Sequence, residues 1–221
     1  MKSVFLAFAA FAVASCGPGR ARTPAEAHAR LSSAVAAHDS TLLWNALDQD
    51  TQWSWMSTQR AWRECYDITQ SAVPEGTERA RLLARFEPGA NAENAKALFA
   101  AMLSPDDWKL AETLVAAAGG GQPQLDPSGE SARIDTPKGA LVYRKAHNRY
   151  WGWGFGGLGD RADQLKRTAS ADLDRMRTDA ADYERAATRG ARLMDAAVTP
   201  RSRRVTSQRR ANPTMRRRLA S

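Results

Sequence analysis

Histidine and cysteine are the side chains that most readily hold a metal or begin nucleophilic chemistry. This chain has only His28, His38, His147, Cys16 and Cys65. His28 and His38 fall on one helical stretch but too far apart to share an ion, and no histidine pair has the short spacing of a zinc site. The histidines are therefore expected to be solvated, with no metal and no cofactor. Tyr66-Asp67 is a candidate acid–base pair, but adjacent residues on a helix point in different directions, so a structural role is expected. Trp151-Gly152-Trp153 places two indoles on one face of a strand. With Tyr66 they are the candidate ligand-facing groups, although such a pair more often forms the face that helices cover. Two glycine runs remain. Gly119-Gly120-Gly121 follows a helix and precedes a loop, whereas a phosphate loop needs a strand before it and a helix after it. Gly154 to Gly159 lacks the dinucleotide spacing and reads as a flexible exit from the sheet. No serine sits in a nucleophile elbow. The expectation is a protein without enzymatic activity.

The N-terminus is more informative. Lys2 is followed by an apolar run from Val4 to Val13. A membrane-spanning helix needs roughly 20 such residues, so this shorter run reads as the core of an export signal. It ends Val13-Ala14-Ser15-Cys16-Gly17. These residues resemble the lipobox of bacterial lipoproteins, in which an aliphatic and two small residues precede a cysteine; Val13 stands where leucine is more usual. The resemblance implies a signal over residues 1–15, cleavage before Cys16, and a diacylglyceryl thioether on its sulfur. Two or more acyl chains hold a protein stably where one does not. Gly17 is not the aspartate that retains such proteins at the inner membrane, which favours the outer one. Ala12-Val13-Ala14 offers an alternative: ordinary secretory cleavage after Ala14 and a soluble periplasmic product.

The net charge of +8 comes from one end. Between residues 199 and 221 there are no acids and eight arginines: Arg201, Arg203, Arg204, Arg209, Arg210, Arg216, Arg217 and Arg218. Without those eight, 24 basic residues balance 24 acidic ones. This tail lacks apolar periodicity and is expected to be disordered. Guanidinium pairs bidentately with phosphate, so anionic lipids or acidic envelope polymers are its natural partners; nucleic acid is not expected outside the cytoplasm.

Stepwise along the chain, residues 16–22 read as a tether. Thr23-Pro24-Ala25-Glu26 begins a helix with Thr23 as N-cap and Glu26 closing a capping box. A short helix follows Ser40. Asp50 is positioned to cap a third helix running to about Ser71, with Trp53, Met56, Trp62, Cys65, Tyr66 and Ile68 crossing the core; Cys65 is expected there as a small buried residue. A helix over 77–86 should stop at Pro88-Gly89, another should be capped by Asn91, and Ser104-Pro105 should open a further one. Residues 131–136, 140–145 and 150–155 read as an antiparallel meander. From 160 to 198 apolar residues recur at threes and fours, from Leu165 through Ala169, Leu173, Met176, Ala180, Tyr183, Ala187 and Gly190 to Met194. Packing against its own domain is the ordinary reading of that stripe, and a protein partner is the alternative.

The fold class expected is α+β, mainly helical, with a small C-terminal antiparallel meander and then a long amphipathic helix. The domain covers 23–158 and the helix 159–198. The layout of 23–71 and 131–155, with Thr23-Pro24 opening the first helix, resembles the nuclear-transport-factor-2-like, cone-shaped α+β family. That resemblance implies a ligand pocket between sheet and helices as the alternative to a binding or structural module in the cell envelope. The extra helices over 76–118 and 160–198 depart from the family, and no site residue transfers.

Overall fold

A computed structural model describes residues 20–147, 149–155 and 158–198. The signal segment, Cys16 and the arginine tail lie outside them. The elements run α1 (Pro24–Ala36), α2 (Ser40–Ala46), α3 (Gln49–Ala72), α4 (Thr77–Asn91), α5 (Ala95–Met102), α6 (Pro105–Ala118), β1 (Gln124–Leu125), β2 (Ser131–Thr136), β3 (Gly139–Lys145), β4 (Trp151–Phe155) and α7 (Leu158–Val198). The architecture is α+β and mostly helical. The four strands form one antiparallel sheet in the order β1-β2-β3-β4.

Local chemistry sets most helix starts. An N-cap side chain accepts from an N–H that the helix cannot satisfy itself. Thr23 accepts from the Glu26 N–H at 3.1 Å, Asp39 from Thr41 and Leu42, Asp48 from Thr51 at 2.8 Å, and Asn94 from Ala97. Ser104 and Asp107 form a full capping box at the start of α6. Glu26 does not close one on Thr23. Its carboxylate accepts from the Arg22 N–H at 2.7 Å, one residue further back, and so fixes the approach to α1.

Two clusters make up the interior. The larger gathers Leu31, Leu43, Trp55, Leu98, Phe99, Leu114, Leu141, Tyr143, Trp153 and Leu158 from helices and sheet. The smaller, around Cys65, Val73, Phe86 and Met176, joins α3, α4 and α7. α3 and α7 run parallel: Ser54 donates to Asp163 near their starts at 2.6 Å, and Arg177 pairs with Glu64 further along at 2.6 Å. The buried face of α3 is small and polar, with Ser54, Thr58, Ala61, Cys65 and Thr69, and α7 buries Ala162, Ala169 and Met176 at seven-residue spacing. Small side chains let two helix axes approach closely. The buried hydroxyls of Thr58 and Thr69 donate to the carbonyls of Ser54 and Cys65 one turn back, so burial leaves them satisfied.

Several boundaries differ from the sequence reading. Asp48, not Asp50, caps α3. Trp53 and Met56 are 47% and 52% exposed, while Trp55 is buried: the inward face is the one that carries Thr51, Ser54, Trp55 and Thr58. Pro88 and Gly89 lie inside α4, which continues to Asn91. Gly89 sits so close to Trp62 that a Cβ there would be 2.4 Å from the Trp62 Cβ, so this glycine serves packing and not termination. Asn94, not Asn91, opens α5. Strand β1 had no sequence signal.

Candidate functional site

The chain joins the fold beside the last hairpin. Ala21 is buried and bridges to Trp151, whose N–H donates to the Ala21 carbonyl at 2.9 Å. The Arg20 guanidinium lies over the Tyr150 ring, 5.6 Å from its centroid. The β3–β4 connection closes on itself through Ala146 N–H to the Tyr150 carbonyl and Arg149 N–H to the Ala146 carbonyl, both at 2.8 Å. Arg149 takes a left-handed backbone, φ 67°, which an L side chain adopts only at a cost. Arg20, Arg22, His147 and Arg149 are exposed on this end of the molecule, with Tyr150 and Trp151 half-buried. Lys145 is paired with Glu130 at 3.2 Å.

Behind this end, β4 is pressed onto the α2–α3 junction. Leu47 bridges to Trp153, and the Asp48 N–H donates to the Trp153 carbonyl at 2.9 Å. A Cβ on Gly152 would fall 2.4 Å from the Leu47 carbonyl oxygen, one on Gly154 1.8 Å from Asp48 Oδ2, and one on Gly159 2.1 Å from the Gly154 carbonyl oxygen. Gly154 and Gly159 are thus close-approach positions. The reading of this run as a flexible exit is corrected for both; Gly156 and Gly157 lie outside the described residues.

Asp48 is buried, with Oδ1 capping α3 and Oδ2 without a hydrogen-bond partner. Burial pushes its carboxyl above the ordinary value, opposed by the hydrogen bonds from Thr51 and by the Arg144 charge. The indole nitrogens of Trp55 and Trp153 and the Gln49 side-chain oxygen are also buried without partners. Asp48, Gln49 and Trp153 meet where β4 docks on the start of α3.

The candidate ligand-facing groups do not converge. Trp153 is 1% exposed within the main core, Trp151 is half-buried at the rim, and Tyr66 packs on the second cluster around Cys65. Asp67 is exposed while Tyr66 is half-buried, as expected of helical neighbours. Cys65 is a free thiol in the core, and burial, reinforced by Asp172 and Glu64, pushes its pKa up to about 11.

His28 is less solvated than its sequence context suggests, whereas His38 and His147 are exposed. His28 Nδ1 lies 2.7 Å from the Tyr143 hydroxyl. Burial lowers its proton affinity, against a hydrogen bond with the Gly119 backbone. Burial also holds the Tyr143 phenol well above its ordinary value. His38 stacks on Trp108 with ring centroids 4.0 Å apart. It lines an open groove of about 500 Å³ with Leu103, Pro105, Lys109 and Glu112. Lys109 and Glu112 carry opposite charges, and Glu112 lies 3.5 Å from His38 Nδ1. Among the described residues, no group of three or more histidines, cysteines or carboxylates is placed to hold a metal ion. No helix among them is long and apolar enough to cross a membrane.

Helix α7 divides in two. Up to Met176 it is packed on α3 and α4, and Arg161 pairs with Asp107 and donates to the Met102 carbonyl at 3.1 Å. From 181 to 194 every residue is exposed, including Leu193 at 72% and Met194 at 68%. Packing within the domain therefore holds for the first half only. The stripe continues without interruption into solvent through Tyr183, Ala187, Gly190 and Met194.

Sequence reasoning missed Asp48 and the close-approach glycines. The signal was present in Asp48 standing three residues before Thr51 and in the glycine–tryptophan alternation of β4, but only the tertiary contact says that strand and helix start touch. No protein-family model, no curated protein and no solved structure matches the chain.

Proposed function

We propose that the protein is a cell-envelope lipoprotein: a non-enzymatic binding or structural module held at the membrane by acyl chains on Cys16. The observation that carries this reading is the sequence Val13-Ala14-Ser15-Cys16 at the end of a ten-residue apolar run. The fold is consistent with it in one physical respect. Ala21 is already packed in the fold, five residues after Cys16, so only a short stretch of sequence separates the modified cysteine from a folded domain. A pocket under the sheet would need Trp151 or Trp153 to line it; Trp153 is packed in the core and Trp151 rests half-buried against it, which favours a module acting through its surface over one enclosing a small ligand. The solvent-facing half of α7, with its continuous apolar stripe, is the surface offered to a protein partner. The arginine tail beyond it, through Arg203, Arg204, Arg209, Arg210, Arg216, Arg217 and Arg218, would add salt-sensitive attraction to anionic lipids or acidic envelope polymers.

Intact mass of the mature protein, combined with metabolic fatty-acid labelling, tests the anchor. The expected product starts at Cys16 and carries acyl mass and label, and Cys16→Ala abolishes both. An unlabelled product starting at Ser15 refutes the anchor and leaves a soluble exported protein.

A further inference from the structure

We propose that the end of the domain formed by residues 20–22 and the β3–β4 turn is a docking face for the anionic phospholipid headgroups of the membrane that holds Cys16. This rests on the anchor reading above and extends it to an oriented domain. The first argument is reach. Ala21 is pinned to Trp151, and five extended residues span at most roughly 17 Å. The headgroup layer takes up about 5–7 Å of that, so the Ala21–Trp151 end is confined to within about 10 Å of the headgroups.

The second argument is chemistry. Arg20, Arg22 and Arg149 present exposed guanidinium groups on this end, the group type that pairs with phosphate. Glu130 beside them is charge-paired with Lys145; Glu26 accepts from the Arg22 N–H and keeps its charge, which leaves the three arginines in excess over it. Half-buried Tyr150 and Trp151 are of the amphipathic type that settles at a membrane–water boundary. Residues 1–198 are balanced in charge, so this cluster is a local asymmetry. The third is backbone strain. Arg149 holds φ 67°, a conformation that glycine would take freely. A non-glycine residue held in that conformation points to a role for its side chain.

The test uses the full mature lipidated protein in phosphatidylcholine vesicles with and without phosphatidylglycerol. A nitroxide is placed at His147→Cys on the proposed face, or at Glu75→Cys beyond the far end of α3; Cys65 is buried and does not compete. Collision with a nickel-chelating headgroup lipid is read by electron paramagnetic resonance. In anionic vesicles the label at 147 should collide at least about tenfold more than the label at 75, and high salt should reduce the excess. Charge reversal at Arg20, Arg22 and Arg149 should abolish it, at about fivefold in surface partition per arginine. Arg149→Gly should weaken the contact while raising thermal stability, which separates headgroup contact from folding. An anchored protein whose label at 147 collides no more than that at 75, or equally in neutral and anionic vesicles, overturns the face while leaving the anchor intact. A mature chain without acyl mass overturns both.

Discussion

Gly152→Ala is the sharpest perturbation of the β4 docking. The added Cβ would lie 2.4 Å from the Leu47 carbonyl oxygen and 2.5 Å from the Asp48 N and Cα, where ordinary contacts begin at 3.4 Å. All three atoms are backbone, so no rotamer change relieves the clash, and strand and helix start must part by about an ångström. That separation breaks the 2.9 Å bond from the Asp48 N–H to the Trp153 carbonyl, a loss of about 1 kcal/mol. Overpacking adds about 1–3 kcal/mol. The expected destabilisation is about 3 kcal/mol, a fall in Tm of about 6–12 °C for a domain of this size. Urea unfolding followed by tryptophan fluorescence, with thermal melts by circular dichroism, measures it. Gly190→Ala is the control: nothing lies within 4 Å of its added Cβ, and a helix-interior alanine gains about 1 kcal/mol over glycine, so helicity should rise and Tm should not fall. A Gly152→Ala protein within about 0.5 kcal/mol of the parent, or a Gly190→Ala protein equally destabilised, refutes the close-approach account.

Three further outcomes follow from the buried titratable groups. Asp48 has a folded pKa raised above 3.8 by burial, so its contribution is fully present below that value and is lost as pH rises through the folded pKa. Asp48→Asn keeps the capping oxygen and should therefore exceed the parent in urea midpoint at neutral pH, the gap closing toward pH 4. His28 is the opposite case: its folded pKa lies below 6.5, so stability present above that value is lost as pH falls through the folded one. His28→Gln should flatten the decline in Tm between about pH 7 and 5. Cys65, with its thiol pushed to about 11 and buried, should resist a thiol reagent at mildly alkaline pH until urea unfolds the chain, then react fully.

The elements were legible where a local rule decides them. Thr23, Ser104 and Pro105 announce their helices because capping is a matter of three or four residues, and the alternation in 131–136 and 140–145 announces its strands. The burial of Leu141 and Tyr143 on one face followed from period two alone. The reading failed where a distant contact outweighs the local rule. Pro88-Gly89 looks like a stop, but Gly89 is needed against Trp62. Trp53 and Met56 look like core, but α3 turns a face of serine, threonine, alanine and cysteine inward because α7 must come close. His28 looks solvated, but Tyr143, 115 residues later, covers it. For the candidate site, Trp151 and Trp153 were correctly placed on the sheet; that residues 20–22 lie beside the 146–150 turn could not be read from either segment alone.

The division of α7 has a mechanical side. Met176 is its last buried residue up to 194, and Val198 ends it roughly 30 Å beyond Met176 at 1.5 Å per residue. That overhang is about the diameter of a small domain. A protein gripping Tyr183 to Met194 would stand beside the domain, not on it, and would not have to displace any packed side chain. α7 runs parallel to α3 away from the β4 end where Ala21 is fastened, so a load applied at the overhang acts on a long lever. The α3–α7 seam, with its small residues and the Ser54–Asp163 and Glu64–Arg177 contacts, is the clamp that must resist it. The same seam that lets two helices pack closely therefore sets how much force the outer half of α7 can transmit to the rest of the molecule.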